Sequence, residues 1–222
     1  MDDDFTAQVT GVSALAEPVR RALYLYVVGK SEPVSTDQAA RGAGVLRHTA
    51  KFHLDKLVEE GLLATEYRRL SGRRGPGAGR PAKLYRRSVR QLAVTLPQRH
   101  YELAGEILAT AIEDATRSGM PVVEAIQQAA TGAGRRIGAL AGNVPTLDDV
   151  AGVLAERGYE PRVEGDVMVL ANCPFEALAR DHTALMCGIN RDLIASLLDA
   201  LGHTATARLD PAPRRCCVVV HR

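Results

Sequence analysis

The sequence predicts an α+β protein in three parts, and three observations carry that prediction. Helical periodicity runs over residues 12–60 and gives way to two short strand-like stretches. Residues 97–140 show helical periodicity alone. From residue 146 onward the pattern reads helix–strand–strand–helix–strand–strand, a small α+β domain with a largely antiparallel sheet. The expected domains are 1–95, 96–143 and 144–222. With 222 residues, 46% hydrophobic and 24% charged, the chain has material for more than one core, which excludes a disordered chain or a fibre. No apolar run approaches the roughly 20 residues of a membrane helix. The acidic start, Met1-Asp2-Asp3-Asp4, is unlike a basic secretion signal, so no membrane partner and a cytoplasmic location are expected.

In the first part, Leu15, Val19, Leu23 and Val27 recur at four-residue spacing, with Ala22 and Tyr26 on the same side. They predict a helix over about 12–29, with Pro18 near its first turn or interrupting it. Gly29 and Pro33 end it. Ser35-Thr36-Asp37-Gln38 reads as a capping box opening a short helix that stops at Gly42 or Gly44. A third helix spans 46–60, with Leu46, Ala50, Leu54, Leu57 and Val58 on one stripe and Gly61 as its stop. Three helices with a short glycine-containing turn before the third form a helix-turn-helix. The outer face of the third helix is expected to present Arg47, His48, Thr49, Lys51 and His53, with Phe52 beside them. The acids Asp55, Glu59 and Glu60 come later. Donors gathered in the N-terminal half suit a helix that enters a DNA major groove by that end.

Residues 62–69 and 83–86 read as paired strands around a Gly/Pro loop that carries Arg73, Arg74 and Arg80. This is the wing of a winged helix, and Gly79-Arg80-Pro81 can lay an extended arginine into a narrow minor groove. The glycines are not a nucleotide-phosphate loop, because no Lys-Ser/Thr and no helix follow. Charge supports the reading. The net charge of +2 divides into +6 for residues 1–95 (16 Lys and Arg against 10 Asp and Glu) and −4 for residues 96–222 (12 against 16). Residues 66–90 hold nine basic residues and one acid. A basic stretch of this kind fits a polyanionic partner.

Residues 12–90 resemble a winged helix-turn-helix of the ArsR type. The resemblance lies in Leu15-Ala16-Glu17-Pro18-Val19-Arg20-Arg21, Phe52-His53-Leu54-Asp55-Lys56-Leu57 and Gly79-Arg80-Pro81-Ala82-Lys83-Leu84-Tyr85. It implies double-stranded DNA as partner, with the signal left open.

The middle part reads as two helices. The first, 97–118, carries Tyr101, Ala104, Leu108, Ala111 and Ala115, widened by Ile107 and Ile112; the second opens at Pro121. Ala129, Ala133, Gly134 and Gly138 allow close helix approach. A palindromic operator is read by a two-fold dimer, so these helices are expected to form a dimerisation arm, the alternative being packing within one subunit.

All four cysteines, Cys173, Cys187, Cys216 and Cys217, fall in the last part. That part lacks a serine nucleophile elbow, a His-Glu-x-x-His zinc motif and a dinucleotide fingerprint, which suits a sensor and not an enzyme. A reducing cytosol argues against disulfides. Cys216 and Cys217, neighbours in a strand over 215–221, point to opposite faces, so only one of them joins Cys173 and Cys187. Cys173 stands near a helix start, which favours thiolate. Three thiolates can hold a [4Fe–4S] cluster or, with a histidine, zinc. His182 is the candidate fourth ligand, with His203 and Asp181 behind it. His182 and Cys187 are awkwardly spaced on one helix over 175–201 unless it breaks, near Gly188. The alternative is that the cysteines are small buried hydrophobes.

Asn172-Cys173-Pro174-Phe175, Cys187-Gly188-Ile189-Asn190 and Cys216-Cys217-Val218 are similar to the sensor domain of the SUF-operon iron–sulfur repressor family of actinobacterial type. The resemblance implies a homodimeric transcriptional repressor whose operator affinity is switched by a cluster on Cys173, Cys187 and either Cys216 or Cys217. Zinc, a small apolar effector or a thiol redox switch are the alternative inputs, and a metal-binding or redox enzyme is the alternative from another class.

Overall fold

A computed structural model of the chain describes residues 2–69 and 81–222. It is an α+β protein of two compact units, residues 1–94 and 95–222. Among the described residues no helix is long and apolar enough to cross a membrane.

The first unit begins with α1 (Asp2–Ala14) and α2 (Pro18–Val28). The single helix expected over 12–29 is thus two. Pro18 lacks the N–H that an interior helical position must donate, and it sits at the first turn of α2. The Glu17 carboxylate caps that turn by accepting from the backbone N–H groups of Val19 and Arg20. A two-residue strand β1 (Val34–Ser35) leads into α3 (Thr36–Ala43), where Ser35 and Gln38 make the expected capping box. Gly44 ends α3 in the left-handed conformation (φ 66°), and α4 spans Arg47–Glu59. Two strands follow, β2 (Leu63–Arg68) and β3 (Ala82–Arg87), paired antiparallel from Leu63–Arg87 to Arg68–Ala82. Sheet order is β1-β3-β2. Leu23, Val27, Ala39, Ala50, Leu54, Leu57 and Tyr85 form the core under this sheet. The segment between the strands, with Arg73, Arg74 and Arg80, lies outside the described residues.

The second unit opens with α5 (Tyr101–Ser118) and α6 (Val122–Ala141), then α7 (Leu147–Ala155). Its sheet has order β4-β5-β7-β6, all antiparallel: β4 (Pro161–Glu164), β5 (Val167–Leu170), β6 (Thr206–Leu209) and β7 (Val218–His221). The helical stretch expected over 175–201 is α8 (Glu176–Asp181) and α9 (Thr183–Ala200), broken at His182, while Gly188 stays within α9.

The small residues of α6 pack within the subunit. A Cβ on Gly134 would overlap the Leu193 carbonyl and the Ser196 hydroxyl, and one on Gly138 would lie 2.8 Å from the Leu197 carbonyl. The Gly134–Gly138 face is therefore filled by α9 of the same chain. Ile112, Val123 and Leu140 of the same two helices remain exposed.

Candidate functional site

The core face of α4 fixes which of its residues meet solvent. Ala50, Leu54 and Leu57 are fully buried, so at 3.6 residues per turn the opposite face carries His48 and Phe52, flanked by Lys51, while Arg47 reaches solvent as the first residue of the helix. All four are exposed. Thr49 is half-buried at the edge. His53 is turned away from that face: its side chain is 13% exposed, with Nδ1 3.5 Å from the Glu17 carboxylate that caps α2. The expectation that His53 belongs to the outer face is corrected by this geometry. At 100° per residue His53 falls on the side of the buried stripe.

The cations on this face are paired with acids of the same unit. Arg47 Nε donates to Asp37 at 2.6 Å, and Lys51 Nζ to Asp55 at 2.8 Å. The Arg47–Asp37 pair is well exposed on both sides and is worth at most about 1 kcal/mol. A bidentate arginine contact to a base is worth about 1–3 kcal/mol, so the guanidinium is free to exchange one partner for the other.

Asp55 is a structural link between helix and sheet. Its carboxylate accepts from Lys51, from Lys83 at 2.6 Å and from the Tyr85 hydroxyl at 2.9 Å, which ties α4 to β3. Partial burial would raise its pKa, but the three hydrogen bonds outweigh that and hold it at about 2. The helix and the strand bordering the wing are thus joined through one ionised side chain. Its participants were visible as Leu54-Asp55-Lys56 and Lys83-Leu84-Tyr85, yet only the fold shows that they meet.

In the second unit the cysteines are arranged in pairs. Cys187, on α9, is disulfide-bonded to Cys217, just before β7, with Cα atoms 6.3 Å apart. The expected absence of disulfides is corrected here. Cys216 and Cys217 lie in the approach to β7 and not within it, and their alternation sends Cys217 to Cys187 and Cys216 to Cys173. The Cys216 thiol donates to the Cys173 sulfur. That bond, the Phe175 backbone N–H and the nearby Arg99 guanidinium bring Cys173 down to about 7, against an opposing push from burial. The helix-start explanation for Cys173 does not hold, since α8 begins at Glu176 and has six residues. The Cys216 thiol is pushed up, first by donating to Cys173 and then by burial.

Two polar networks fix these sulfurs. Buried Asn190 donates from Nδ2 to Cys216 Sγ at 3.1 Å and accepts from the Tyr159 hydroxyl through Oδ1. On the other side, Arg99 Nη1 donates to the Asn172 side chain and to the Cys173 carbonyl at 2.9 Å, while Nη2 reaches Glu176 at 2.7 Å. Asn172 donates back to the carbonyls of Gln98 and Gly158, and the His100 N–H donates to the Pro174 carbonyl. The segment 98–100, expected to begin a helix, is instead a clamp on the Cys173 loop. Nothing in the periodicity of the chain pointed to Arg99.

The four cysteines do not fit a cluster in this arrangement. Two are consumed in a disulfide, and among the described residues no three Cys, His, Asp or Glu side chains converge as metal ligands. His182 is exposed at the kink between α8 and α9, and His203 Nδ1 accepts from the Ala205 N–H at 3.0 Å.

A family model described as a helix-turn-helix domain matches residues 15–66, from the end of α1 into β2. The chain carries a DNA-binding helix-turn-helix. With β3 beside it, this is a winged helix-turn-helix, and it makes the chain a DNA-binding transcriptional regulator. No curated protein and no solved structure matches the chain.

Proposed function

We propose that the chain is a homodimeric repressor, not an enzyme, that reads a palindromic operator through α4 and takes its signal at the C-terminal cysteines. The observation that carries the DNA reading is the exposure of Arg47, His48 and Lys51 in the N-terminal half of α4. Two copies supply two such helices, spaced for successive major grooves, where one alone gives too few base contacts for specificity. Since α9 fills the small-residue face of α6, the dimer forms through other surfaces, and exposed Ile112, Val123 and Leu140 are available.

The input is a thiol–disulfide change. Exchange with a dithiol breaks the Cys187–Cys217 bond, leaves two thiols on the protein and oxidises the dithiol to its own disulfide. Two electrons and two protons reach the cysteines. The same residues adjoin Cys216 and the Cys173 loop, whose carbonyl is held by Arg99 at the entry to α5. A second reading, in which the reduced cysteines hold an iron–sulfur cluster or zinc, is favoured by the adjacency in sequence of the two pairs, Cys173 with Cys216 and Cys187 with Cys217.

Selection of bound duplexes from a random library tests the DNA reading. It is expected to return a two-fold symmetric site with half-sites about one helical turn apart, bound by a dimer in sedimentation. Recovery of no preferred sequence contradicts it. Anaerobic reconstitution of the reduced protein with iron and sulfide, and separately with zinc, followed by metal analysis separates the two inputs: a protein that retains neither metal supports the thiol switch.

A further inference from the structure

The geometry points to Phe52 as the residue that reads thymine, by seating its ring against the 5-methyl group in the major groove. The inference rests on the DNA-binding reading of α4 and adds to it the base and the chemical group recognised. With Ala50, Leu54 and Leu57 defining the buried direction, a rotation of 100° per residue puts Phe52 almost diametrically opposite them. It is 66% exposed, at the outermost line of the helix. Lys51 precedes it and His48 lies one turn before it, both exposed. The His53 ring stands edge-on at 5.2 Å between centroids and supports the phenyl ring from the side turned toward the protein.

A phenyl ring in water forgoes the roughly 1.5–3 kcal/mol that burial would return. Here that exposure occurs on the third helix of the helix-turn-helix, whose N-terminal half presents Arg47 and Lys51 and no acid, and charge selects the occupant. Lys51 beside the ring and Arg47 at the start of the helix oppose docking of a basic partner and favour a polyanion, which draws them from the carboxylates of Asp55 and Asp37. On the floor of a major groove the only apolar group is the thymine methyl, which aromatic side chains contact. A protein partner would instead bury Phe52 among apolar neighbours, and apart from Leu46 the exposed residues beside it on α4 are polar or charged.

The test uses the full chain and the duplex it selects. Each thymine is replaced in turn by deoxyuridine, which removes only the methyl. At one position per half-site the wild type is expected to lose about fourfold in affinity, the equivalent of ~0.8 kcal/mol for one buried carbon. Phe52→Ala is expected to bind thymine and deoxyuridine duplexes equally at that position, while Phe52→Leu keeps part of the preference. The side chain is exposed, so both variants should melt with the wild type. If Phe52→Ala retains the wild-type penalty at every deoxyuridine position, the assignment is overturned. It is equally overturned if Phe52→Ala leaves DNA binding unchanged and alters the oligomeric state. A wild type that selects no sequence contradicts the DNA reading itself, whereas one that selects a site but ignores every methyl contradicts only the role of Phe52.

Discussion

In the helix-turn-helix unit the candidate functional side chains stand in water, and in the second unit they are buried or half-buried against the core. Arg47 and Lys51 each hold a nearby carboxylate in pairs that cost little to exchange. Cys216 is buried with Asn190 and Tyr159 around it, where a polar atom that loses its partner is not repaid by water. The difference is one of purpose. On the proposed function, the α4 surface trades protein partners for nucleic acid at little cost, while the cysteine site converts a local chemical change into a change of packing. Low-dielectric surroundings make the second possible, because a lost or altered hydrogen bond there has no water to replace it.

This contrast can be broken at four places, in decreasing order of effect. Gly134→Val pushes a side chain into the Leu193 carbonyl at the α6–α9 contact. It is expected to destabilise the second unit by about 3 kcal/mol or more, seen as lost amide protection in α9 with protection in α4 retained. Equal loss in both units would show that the units do not behave separately. Asn190→Ala leaves the buried Tyr159 hydroxyl without its partner and takes one donor from the Cys216 sulfur. Urea unfolding should report a loss of about 2–3 kcal/mol, and an unchanged midpoint would mean that water or another group replaces the amide.

On the exposed side, Arg47→Ala should leave stability within about 0.5 kcal/mol while relaxing discrimination at one base pair by about 1–3 kcal/mol. Competition binding with single-base variants of the selected site measures this. The smallest effect concerns pH. Asp55 titrates at about 2 when folded, against 3.8 ordinarily, so its contribution is complete above about pH 4 and is lost as pH falls towards 2. With its side chain partly open to solvent, the loss is on the order of 1 kcal/mol. Asp55→Asn should remove that part of the acid dependence, and an unchanged acid profile would remove Asp55 from the account.

The legible parts of the fold were those written locally. Ser35 and Gln38 satisfy each other within one helical turn, and the Ala50, Leu54 and Leu57 stripe identifies α4 and its outward face from spacing alone. Pro18 was ambiguous because a proline is equally visible at a helix start and at a break; the Glu17 cap decides it. β1 has two residues and carries no period. The cysteine pairing was not legible, since Cys187 and Cys217 are 30 residues apart and meet only through the placement of α9 against β7. The Arg99 clamp escaped for the same reason: its partners Asn172, Cys173 and Glu176 come from the far side of α5, α6 and α7.

The proposed coupling of the two regions is that the thiol state at Cys187 and Cys217 sets the affinity with which α4 holds DNA. Its most direct test is fluorescence anisotropy of the selected duplex, titrated with metal-free protein before and after reduction by a dithiol, at fixed salt. Affinities differing by at least about fivefold, the lower end of ordinary allosteric coupling, with the difference abolished in Cys187→Ser, are the predicted result. Superimposable isotherms for the oxidised and reduced protein would contradict it.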